Sequence, residues 1–379
     1  MAIVYNTAAY LWISRRPLLE ALLAEGYRVI AIAPAAPEAR QIEELGIPFF
    51  PTRYLDRRGT NPWRDVLFFR ELRGIYRQES VAVALHFTIK PVIYGSLAAR
   101  FSGVQAINTI TGLGYSFIKG GWIQLLVKRL YRLALAKASR TLFQNPDDEA
   151  LFLHARLVDP ERIGRVPGSG IDTDFFQSSP LAEAAPLEFV FIGRLLKDKG
   201  VREFVAAAQQ LRDENVGGRF SPAEVQKMSF SIVGGIDPDN PAAINAAELD
   251  EWQRSAAVNY RGTTTDVRSH IIAATAVVLP SYREGLPRVL LEGAACGRPL
   301  IATDVPGCRE VVVDGSNGYL VPARDVDALA QTMLRMAQLP ATQREVMGQV
   351  SRQLAEARFA ATKVVKQYID LVAGEINAT

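Results

Sequence analysis

Residues 284–292 read Glu-Gly-Leu-Pro-Arg-Val-Leu-Leu-Glu. They follow an apolar run at residues 274–280, which predicts a buried strand, and precede a Gly-Arg-Pro stop signal at residues 297–299. The pattern therefore predicts a strand, a tight turn and a helix. Pro287 is expected in the first helical turn, where its missing N–H costs nothing.

Glu284 is predicted just outside this helix and Glu292 well inside it. Eight residues of ideal helix span about 12 Å, so the two carboxylates cannot share a proton or flank one bond. They could hold the two ends of a long polyhydroxylated ligand, while free N–H groups at the helix start attract an anion between them. A nucleotide sugar has this shape. Two solvated surface glutamates would give the same pattern.

Composition describes a soluble globular chain. It has 379 residues, 49% hydrophobic and 22% charged, which favours two domains. No apolar run reaches the length of a membrane-spanning helix, and the first ten residues do not resemble a signal peptide. Two cysteines, Cys296 and Cys308, provide neither a disulfide framework nor metal-ligand spacing. We therefore expect a cytoplasmic protein without a metal.

Charge is distributed unevenly along the chain. Residues 1–165 hold 22 basic and 14 acidic residues, a net charge of +8, whereas the remaining 214 residues have a net charge of −5. The first half is therefore suited to an anionic partner. Because no zinc-finger, helix-turn-helix or RNP-type signal accompanies this charge, nucleic acid is not the expected partner.

Strands and helices are predicted to alternate, which indicates parallel sheets with helices on both faces. Predicted strands are residues 27–33, 81–85, 106–110, 140–144, 187–192, 230–233, 257–260, 276–279, 300–302 and 318–320. Helices are predicted at 17–25 and 91–100 and from near Asn145, Val201, Asp266, Pro287, Pro306 and Asp325, and the last 40 residues are helical by pattern. Residues 177–186 fit a linker. Ligands of such sheets bind at the carboxyl ends of the strands.

The charged turn at residues 193–200 follows the first predicted strand of the second half. Arg194 can offer two parallel N–H donors and Lys199 a point charge, which together suit a diphosphate; a charged surface turn would read the same. Gly234 could let a ligand approach the backbone closely, and Arg261 could lie at the edge of a nucleotide base, but both sequence signals are weak. No P-loop or complete dinucleotide fingerprint is present, which argues against ATP and NAD.

Five motifs together resemble family 4 glycosyltransferases, which are retaining enzymes with the GT-B fold. They lie at residues 193–200, 284–292, 297–304, 306–310 and 315–322. The resemblance covers nearly the whole chain. It implies an α/β protein of two Rossmann-like domains facing across a cleft, residues 1–168 and 169–359, with a final helix at 360–379 that closes the first domain.

The resemblance also implies roles for individual residues. Arg194 and Lys199 match the R-x4-K cations that hold the donor diphosphate. In the E-x7-E pair, Glu284 would contact the donor sugar and Glu292 the ribose. Further donor contacts are assigned to Gly285, Leu286, Pro287, Gly234, Arg261 and Asn145.

The first half resembles a narrower group, bacterial transferases that extend a polyprenyl-diphosphate-linked sugar, such as the undecaprenyl-diphosphate-bacillosamine GalNAc-transferases. Arg15 and the stretches 88–91, 109–114 and 143–145 carry this resemblance. Two departures stand out. Residues 6–9 replace a Gly-Gly loop, and Thr111 stands where many relatives have a histidine that touches the donor sugar. Arg15, His86, Lys90 and Thr111 are the candidate acceptor contacts.

Retention does not require a covalent intermediate, because the departing phosphate can help to deprotonate the acceptor. No general base is therefore assigned. His86 could face the cleft, or it could be a structural histidine whose hydrogen bonds are all made within the protein. Lys90 could bind an acceptor diphosphate, or it could be a surface residue at the start of a helix. No cofactor is expected beyond a UDP-linked donor.

Residues 117–133 mix aliphatics and Trp122 with the bases Lys128, Arg129 and Arg132. Such a segment can lie on an anionic membrane, although a helix packed on the sheet would read the same. We therefore predict a metal-independent transferase that moves an N-acetylhexosamine or hexose from a UDP-sugar to a polyprenyl-diphosphate-linked glycan, peripheral on the inner membrane face. The alternatives are a UDP-GlcNAc 2-epimerase-like enzyme, a transferase with a soluble acceptor, and a non-catalytic nucleotide-sugar or membrane-binding protein.

Overall fold

The computed structural model describes residues 1–57, 59, 61–113, 121–181, 186–213, 225–238 and 240–377, without the side chains of residues 121 and 122. The chain divides into two compact units. Unit 1 contains residues 1–170 and 361–379, and unit 2 contains residues 171–360. The sequence-based boundary fell at residues 168 and 169. Within the described ranges, no helix is both long enough and apolar enough to cross a bilayer.

Unit 1 is built on a seven-stranded parallel sheet with the strand order β3-β2-β1-β4-β5-β6-β7. Its strands are β1 Ala2–Val4, β2 Ile30–Ala33, β3 Phe49–Pro51, β4 Val83–Phe87, β5 Gln105–Ile110, β6 Arg140–Phe143 and β7 Ile163–Arg165. Its helices are α1 Ala8–Ala24, α2 Ala39–Glu44, α3 Pro62–Gln78, α4 Ser96–Arg100 (preceded by a π-helical turn, Pro91–Gly95), α5 Gly121–Leu135, α6 Pro146–His154 and the last helix of the chain, α13 Ala361–Asn377.

The two faces of this sheet bury separate cores. Residues of α3, α4, α5 and α6 pack on one face, and residues of α1, α2 and α13 pack on the other. The last helix is fixed to unit 1 by a hydrogen bond between the Thr109 and Tyr368 hydroxyls (2.9 Å) and by an ion pair between Arg140 and Glu375 (3.5 Å).

Helix α1 begins nine residues before the predicted start, with Thr7 accepting a hydrogen bond from the Tyr10 amide as its N-cap. Pro17 lies inside the helix, where it removes one backbone hydrogen bond. Burial of Leu11, Leu18 and other apolar side chains of this helix outweighs that loss. The predicted helix at residues 17–25 therefore covers only the second half of α1.

Unit 2 has a six-stranded parallel sheet with the order β10-β9-β8-β11-β12-β13. Its strands are β8 Leu187–Ile192, β9 Met228–Val233, β10 Asn259–Tyr260, β11 Ala276–Leu279, β12 Leu300–Thr303 and β13 Gly318–Val321. Its helices are α7 Val201–Arg212, α8 Ala246–Arg254, α9 Arg268–Ala273, α10 Arg288–Ala295, α11 Val326–Gln338 and α12 Ala341–Leu354, which ends in a π-helical turn at Ala355–Phe359.

The helix predicted near Pro306 is absent from this described segment, since residues 306–311 form turns. The Pro306 carbonyl accepts a hydrogen bond from the Glu284 amide (3.3 Å), and the Cys308 carbonyl accepts from Val311 and Val312 (3.0 and 2.9 Å). The backbone is thus held by the segment after β11 and by one local turn instead of a helical ladder.

Candidate functional site

The sheet of unit 2 has its topological switch point between β8 and β11, because the strand order reverses there. Ligands of open parallel sheets bind outside the carboxyl ends of the strands at this point. The segment that follows β8 carries Arg194 and Lys199, and the segment that follows β11 carries Glu284. Topology thus brings together two motifs that are 85 residues apart in the sequence.

Lys199 and Glu284 form an ion pair, with 2.5 Å between Nζ and Oε1. The Glu284 side chain is only 10% exposed, so the ion pair is screened little by water. Gly200, with φ +73°, follows the lysine, and a Cβ there would collide with the Pro280 carbonyl. Only glycine lets the two segments approach this closely.

The loop after β11 is fixed by side chains that the sequence analysis did not identify. The Ser281 hydroxyl and the Tyr282 amide both donate to the Asp198 carbonyl (3.0 and 2.9 Å). The Tyr282 hydroxyl donates to Glu203 (2.5 Å), and burial raises the pKa of Tyr282 to about 12. These contacts hold Glu284 beside Lys199. They join residues far apart in sequence and leave no local pattern.

Arg194 is paired with Asp237, with 3.2 Å between Nη1 and Oδ2. The arginine side chain is 39% exposed, so it can exchange this partner for a ligand anion. Asp237 follows β9, in the loop that begins with Gly234. Its position four residues after a strand was the only sequence signal, and that signal was missed. Both predicted diphosphate cations therefore have a carboxylate partner.

Helix α10 begins at Arg288, with Pro287 as its N-cap. Pro287 was predicted inside the first helical turn but lies just before it. Residues 284–287 are not helical, so the ideal-helix distance between the two glutamates does not apply. Glu292 is buried and accepts a hydrogen bond from Arg288 Nε (2.7 Å). Burial raises the pKa of Glu292, and the neighbouring Arg288 opposes that rise.

The remaining predicted donor contacts of unit 2 also have structural roles. A Cβ at Gly234, with φ +147°, would collide with the Gly193 carbonyl, so this glycine is required by the packing of two adjacent strand ends. Arg261 is exposed and donates to the Ser231 hydroxyl (3.3 Å). Gly285 is buried, and Leu286 packs on the core. The packing explains Gly234 without a ligand.

His86 is completely buried in unit 1 and fully hydrogen-bonded. Its Nδ1 lies 2.9 Å from Asn108 Oδ1, which can only accept, so Nδ1 carries the proton. Nε2 then accepts from the Tyr76 hydroxyl at 2.8 Å. Burial lowers the pKa of His86 to about 4. His86 is therefore a neutral structural histidine, which corrects its candidate role in acceptor binding.

Replacement of His86 by glutamine should make the free energy of unfolding depend less on pH below about pH 6.5. The transfer rate should stay near that of the wild type. The unfolded chain titrates near 6.5 and the folded protein near 4, so only the unfolded chain binds this proton between those values. Stability is therefore full above about pH 6.5 and falls by at most about 1.4 kcal/mol per pH unit on acidification. Urea unfolding at several pH values measures this slope.

His154→Gln is the matched control for this experiment, because His154 is exposed at the end of α6. A folded His86→Gln protein that had lost transfer activity would restore His86 as a functional residue.

Two further candidates of unit 1 are buried in structural roles. Arg15 lies over the Phe87 ring (4.1 Å to its centroid) and points Nη1 at the Gly168 carbonyl (3.4 Å). Asn145 is the buried N-cap of α6 and accepts from the Asp148 amide (2.8 Å). The capping role explains Asn145 without a donor, whereas the buried Nε of Arg15 has no hydrogen-bond partner among the described residues, so the acceptor role of Arg15 stays a prediction.

Lys90 forms an ion pair with Asp65 (2.6 Å), which also accepts from the Tyr94 hydroxyl (2.9 Å). This contact joins the first turn of α3 to the segment that follows β4. Thr111 is half-buried just beyond β5. Both residues lie near the carboxyl ends of the strands, where ligands of such a sheet bind.

Residues 121–133 of the basic segment lie in helix α5, and residues 117–120 lie outside the described part of the chain. Arg129 is exposed and Lys128 half-buried, and the side chain of Trp122 lies outside the described part. Arg132 donates to the Ala155 and Arg156 carbonyls at the end of α6 (3.0 and 3.1 Å). Arg132 therefore connects two helices while it remains exposed, and its assignment as a membrane contact stays a prediction.

Metal-ligating groups are dispersed in the part of the chain that the structure describes, where no three His, Cys, Asp or Glu side chains could hold a metal ion together. Both cysteines are buried there as well. The positive charge near the switch point of unit 2 comes from arginine and lysine side chains.

Comparison with known proteins gives matches along both units. Residues 186–338 match the glycosyl transferases group 1 and residues 13–168 match the glycosyl transferase 4-like domain. The chain is 25% identical, over 86% of each protein, to the N,N'-diacetylbacillosaminyl-diphospho-undecaprenol alpha-1,3-N-acetylgalactosaminyltransferase of Campylobacter jejuni. It is 31% identical to the alpha-maltose-1-phosphate synthase of Mycolicibacterium smegmatis, over 79% of this chain and 81% of that protein.

Among solved structures, HepE of Anabaena in complex with UDP superposes with a TM-score of 0.77 at 16% identity, over 98% of this chain and 99% of that one. At this identity the likeness shows the fold alone, which is the GT-B fold of two Rossmann-like units. The family matches, the relatives and the fold agree with the motifs at residues 193–200 and 284–292, and the chain belongs to the group 1 glycosyltransferases of the GT-B fold.

Proposed function

We propose that the protein transfers an N-acetylhexosamine or hexose, with retention, from a UDP-sugar to a saccharide on a polyprenyl diphosphate at the inner face of the membrane. The observation that carries this proposal is the meeting of Lys199 and Glu284 at the switch point of unit 2, with Arg194 on the same segment as the lysine. A cation for the leaving diphosphate and a carboxylate for sugar hydroxyls are thereby held side by side.

In the proposed reaction the bond between the anomeric carbon and the UDP oxygen breaks, and the acceptor oxygen forms its bond on the same face of the sugar. The acceptor hydroxyl gives its proton to a phosphate oxygen of the departing UDP. Arg194 and Lys199 stabilise the negative charge on that diphosphate, so the step needs neither a metal ion nor a cofactor. Glu284 binds the donor sugar and Glu292 the ribose.

The proposed acceptor follows from the relatives and from charge. The Campylobacter relative is named for a diphospho-undecaprenol acceptor, and residues 1–165 have a net charge of +8. A soluble acceptor is the second candidate, favoured by the synthase of alpha-maltose-1-phosphate, which is the more identical of the two relatives. The two acceptors differ in whether transfer requires a lipid.

A transfer assay separates these functions. Each UDP-sugar is incubated with an undecaprenyl-diphosphate-linked N-acetylhexosamine, with the same sugar phosphate lacking the lipid, and without an acceptor. Transfer to the lipid-linked sugar supports the proposal if NMR shows that the transferred sugar keeps the anomeric configuration that it had in the donor. Transfer only to the free sugar phosphate would favour the second candidate. Conversion of UDP-GlcNAc without an acceptor would indicate an epimerase, and no turnover at all would leave a binding protein.

UDP alone is expected to stabilise the folded protein. A ligand that binds only the folded state at about a hundred times its Kd adds about 2.7 kcal/mol to the free energy of unfolding. Thermal unfolding with UDP, and with ADP or GDP at equal concentration, measures this directly. A larger shift with ADP or GDP than with UDP would overturn the assignment of the donor nucleotide.

A further inference from the structure

The first half of α3 has an apolar outer face. Trp63 is 77% exposed, more than any other large hydrophobic residue of the described ranges, and Val66 and Leu67 are exposed beside it. These three residues share one side of the helix, because positions three and four apart are neighbours. The opposite side buries Phe68 and Leu72. The helix is therefore apolar on both sides at its start, and the described residues of unit 1 leave the outer side exposed.

Helix α5 has the same feature. Ile123, Leu125 and Leu126 are exposed near its start, and Leu133 is 58% exposed near its end. Tyr131, Ala134 and Leu135 are buried against the sheet. A helix that is polar on its outer side is the ordinary arrangement in a soluble domain.

Both helices lie on one face of the unit 1 sheet, and both apolar faces begin near the same edge of that sheet. The two helices pack against the helical segment Pro91–Gly95 and contribute to the same core. Each helix leads into a strand of the parallel sheet, α3 into β4 and α5 into β6, so each begins near the carboxyl ends of the strands. The ion pair between Asp65 and Lys90, just after β4, fixes the first turn of α3 at this edge.

Cations surround the apolar residues. Arg64 and Arg70 are exposed on α3, and Arg129 is exposed on α5. The nearby acidic Asp65 is already paired with Lys90. Tryptophan, aliphatic side chains and arginines together suit the interface of an anionic bilayer, where the ring sits at the headgroup level and the cations meet lipid phosphates.

We propose that the outer faces of α3 and α5 form one membrane-docking platform, with Trp63 as its deepest anchor in an anionic lipid bilayer. A second copy of the chain fits less well, because a symmetric contact through this surface would bring the same arginines face to face. The platform rests on the proposed lipid-linked acceptor. It holds the carboxyl edge of the unit 1 sheet at the membrane, where a polyprenyl diphosphate presents its headgroup.

Binding to vesicles tests this without donor or acceptor. Trp63→Ser is expected to lower the partition of the protein into vesicles of phosphatidylglycerol and phosphatidylcholine in equal parts by about tenfold or more, because a large apolar side chain no longer leaves water. Val346→Ser is the matched control, since Val346 is 55% exposed on α12 of unit 2; its partition should equal that of the wild type. Circular dichroism confirms that both variants fold.

The cations give a second, independent readout. Replacement of Arg64 and Arg70 by glutamine should reduce partition about fivefold per cation at low salt, and the difference should shrink as salt is added. Brominated lipids should quench wild-type tryptophan fluorescence more than that of Trp63→Phe.

Equal partition of Trp63→Ser and wild type would overturn the platform. So would a concentration-dependent dimer that Trp63→Ser abolishes, because the surface would then bind a second copy. These outcomes are separate from the proposed function. If the wild type binds vesicles but transfers no sugar, the proposed function fails and the platform stands. If it transfers sugar to the lipid-linked acceptor in detergent but ignores vesicles, the platform fails and the proposed function stands.

Discussion

Replacement of Arg194 or Lys199 by alanine is expected to lower turnover at saturating donor by about 10²–10³-fold, the usual cost of losing one preorganised charge contact at the leaving group. The side chains follow β8 at the switch point of unit 2, and in the proposed reaction they supply the positive charge that the departing UDP needs. Turnover is measured with the preferred UDP-sugar and acceptor. Normal turnover in both variants would refute the assignment of the diphosphate site.

Lys197→Ala is the matched control, because Lys197 lies in the same short turn as Lys199 but is exposed. Its turnover should stay near that of the wild type. The two test variants should differ in stability. Lys199→Ala leaves the poorly exposed Glu284 carboxylate without its cation, whereas Arg194 is more exposed. Lys199→Ala should therefore show the lower melting temperature.

Much of this fold can be predicted from the sequence, because the central strands are continuous apolar runs bounded by turn signals. Strands β8 and β11 have the predicted bounds, since both are buried on both faces of a parallel sheet. Strands β1, β3 and β7 have only three residues each, too few for a pattern, and were not predicted. The predicted helix at residues 17–25 missed the first half of α1, which continues through Pro17 because its apolar side chains are buried.

The site divides in the same way. Arg194, Lys199 and Glu284 could be located from their positions after strands, because parallel strands end at one edge. Their partners could not. Asp237 pairs with a residue 43 positions away and Tyr282 with one 79 positions away, and such contacts exist only once the sheet has formed. The burial of His86 likewise depends on tertiary contacts, with Tyr76 and Asn108, that the sequence pattern does not reveal.

The pairing of cations with carboxylates has a consequence for donor binding. In the proposed complex, the UDP diphosphate competes with Asp237 for Arg194 and with Glu284 for Lys199. Part of the attraction between protein and donor is therefore spent on separating existing ion pairs. Removal of one of these carboxylates frees a cation, so loss of charge in the protein can leave nucleotide affinity intact or increase it.

Glu284→Ala is thus expected to lower turnover by about 10²-fold while UDP binds as tightly as before, or more tightly. Glu284 contacts the reacting sugar in the proposed complex, and contacts at the reacting centre can strengthen in the transition state. UDP lacks that sugar, and the variant releases Lys199 for the diphosphate. Isothermal titration calorimetry with UDP and steady-state turnover measure the two quantities separately. Glu284→Gln, which keeps the shape and removes the charge, should share the calorimetric result.

Glu292→Ala should show the opposite pattern, with UDP bound about tenfold or more weakly and turnover at saturating donor changed little. Ribose hydroxyls are held equally in ground and transition states, so their loss affects binding uniformly. A hydrogen bond to a charged group contributes about 1.5–3 kcal/mol, which sets the size of the loss. The buried Glu292 accepts a hydrogen bond from Arg288, so Arg288→Met, which breaks that contact and keeps the carboxylate, is the control for mere disorder of α10. If Glu284→Ala weakened UDP binding and Glu292→Ala lowered turnover alone, the two glutamates would have to exchange roles, and the direction of the donor along the carboxyl edge of the sheet would be reversed.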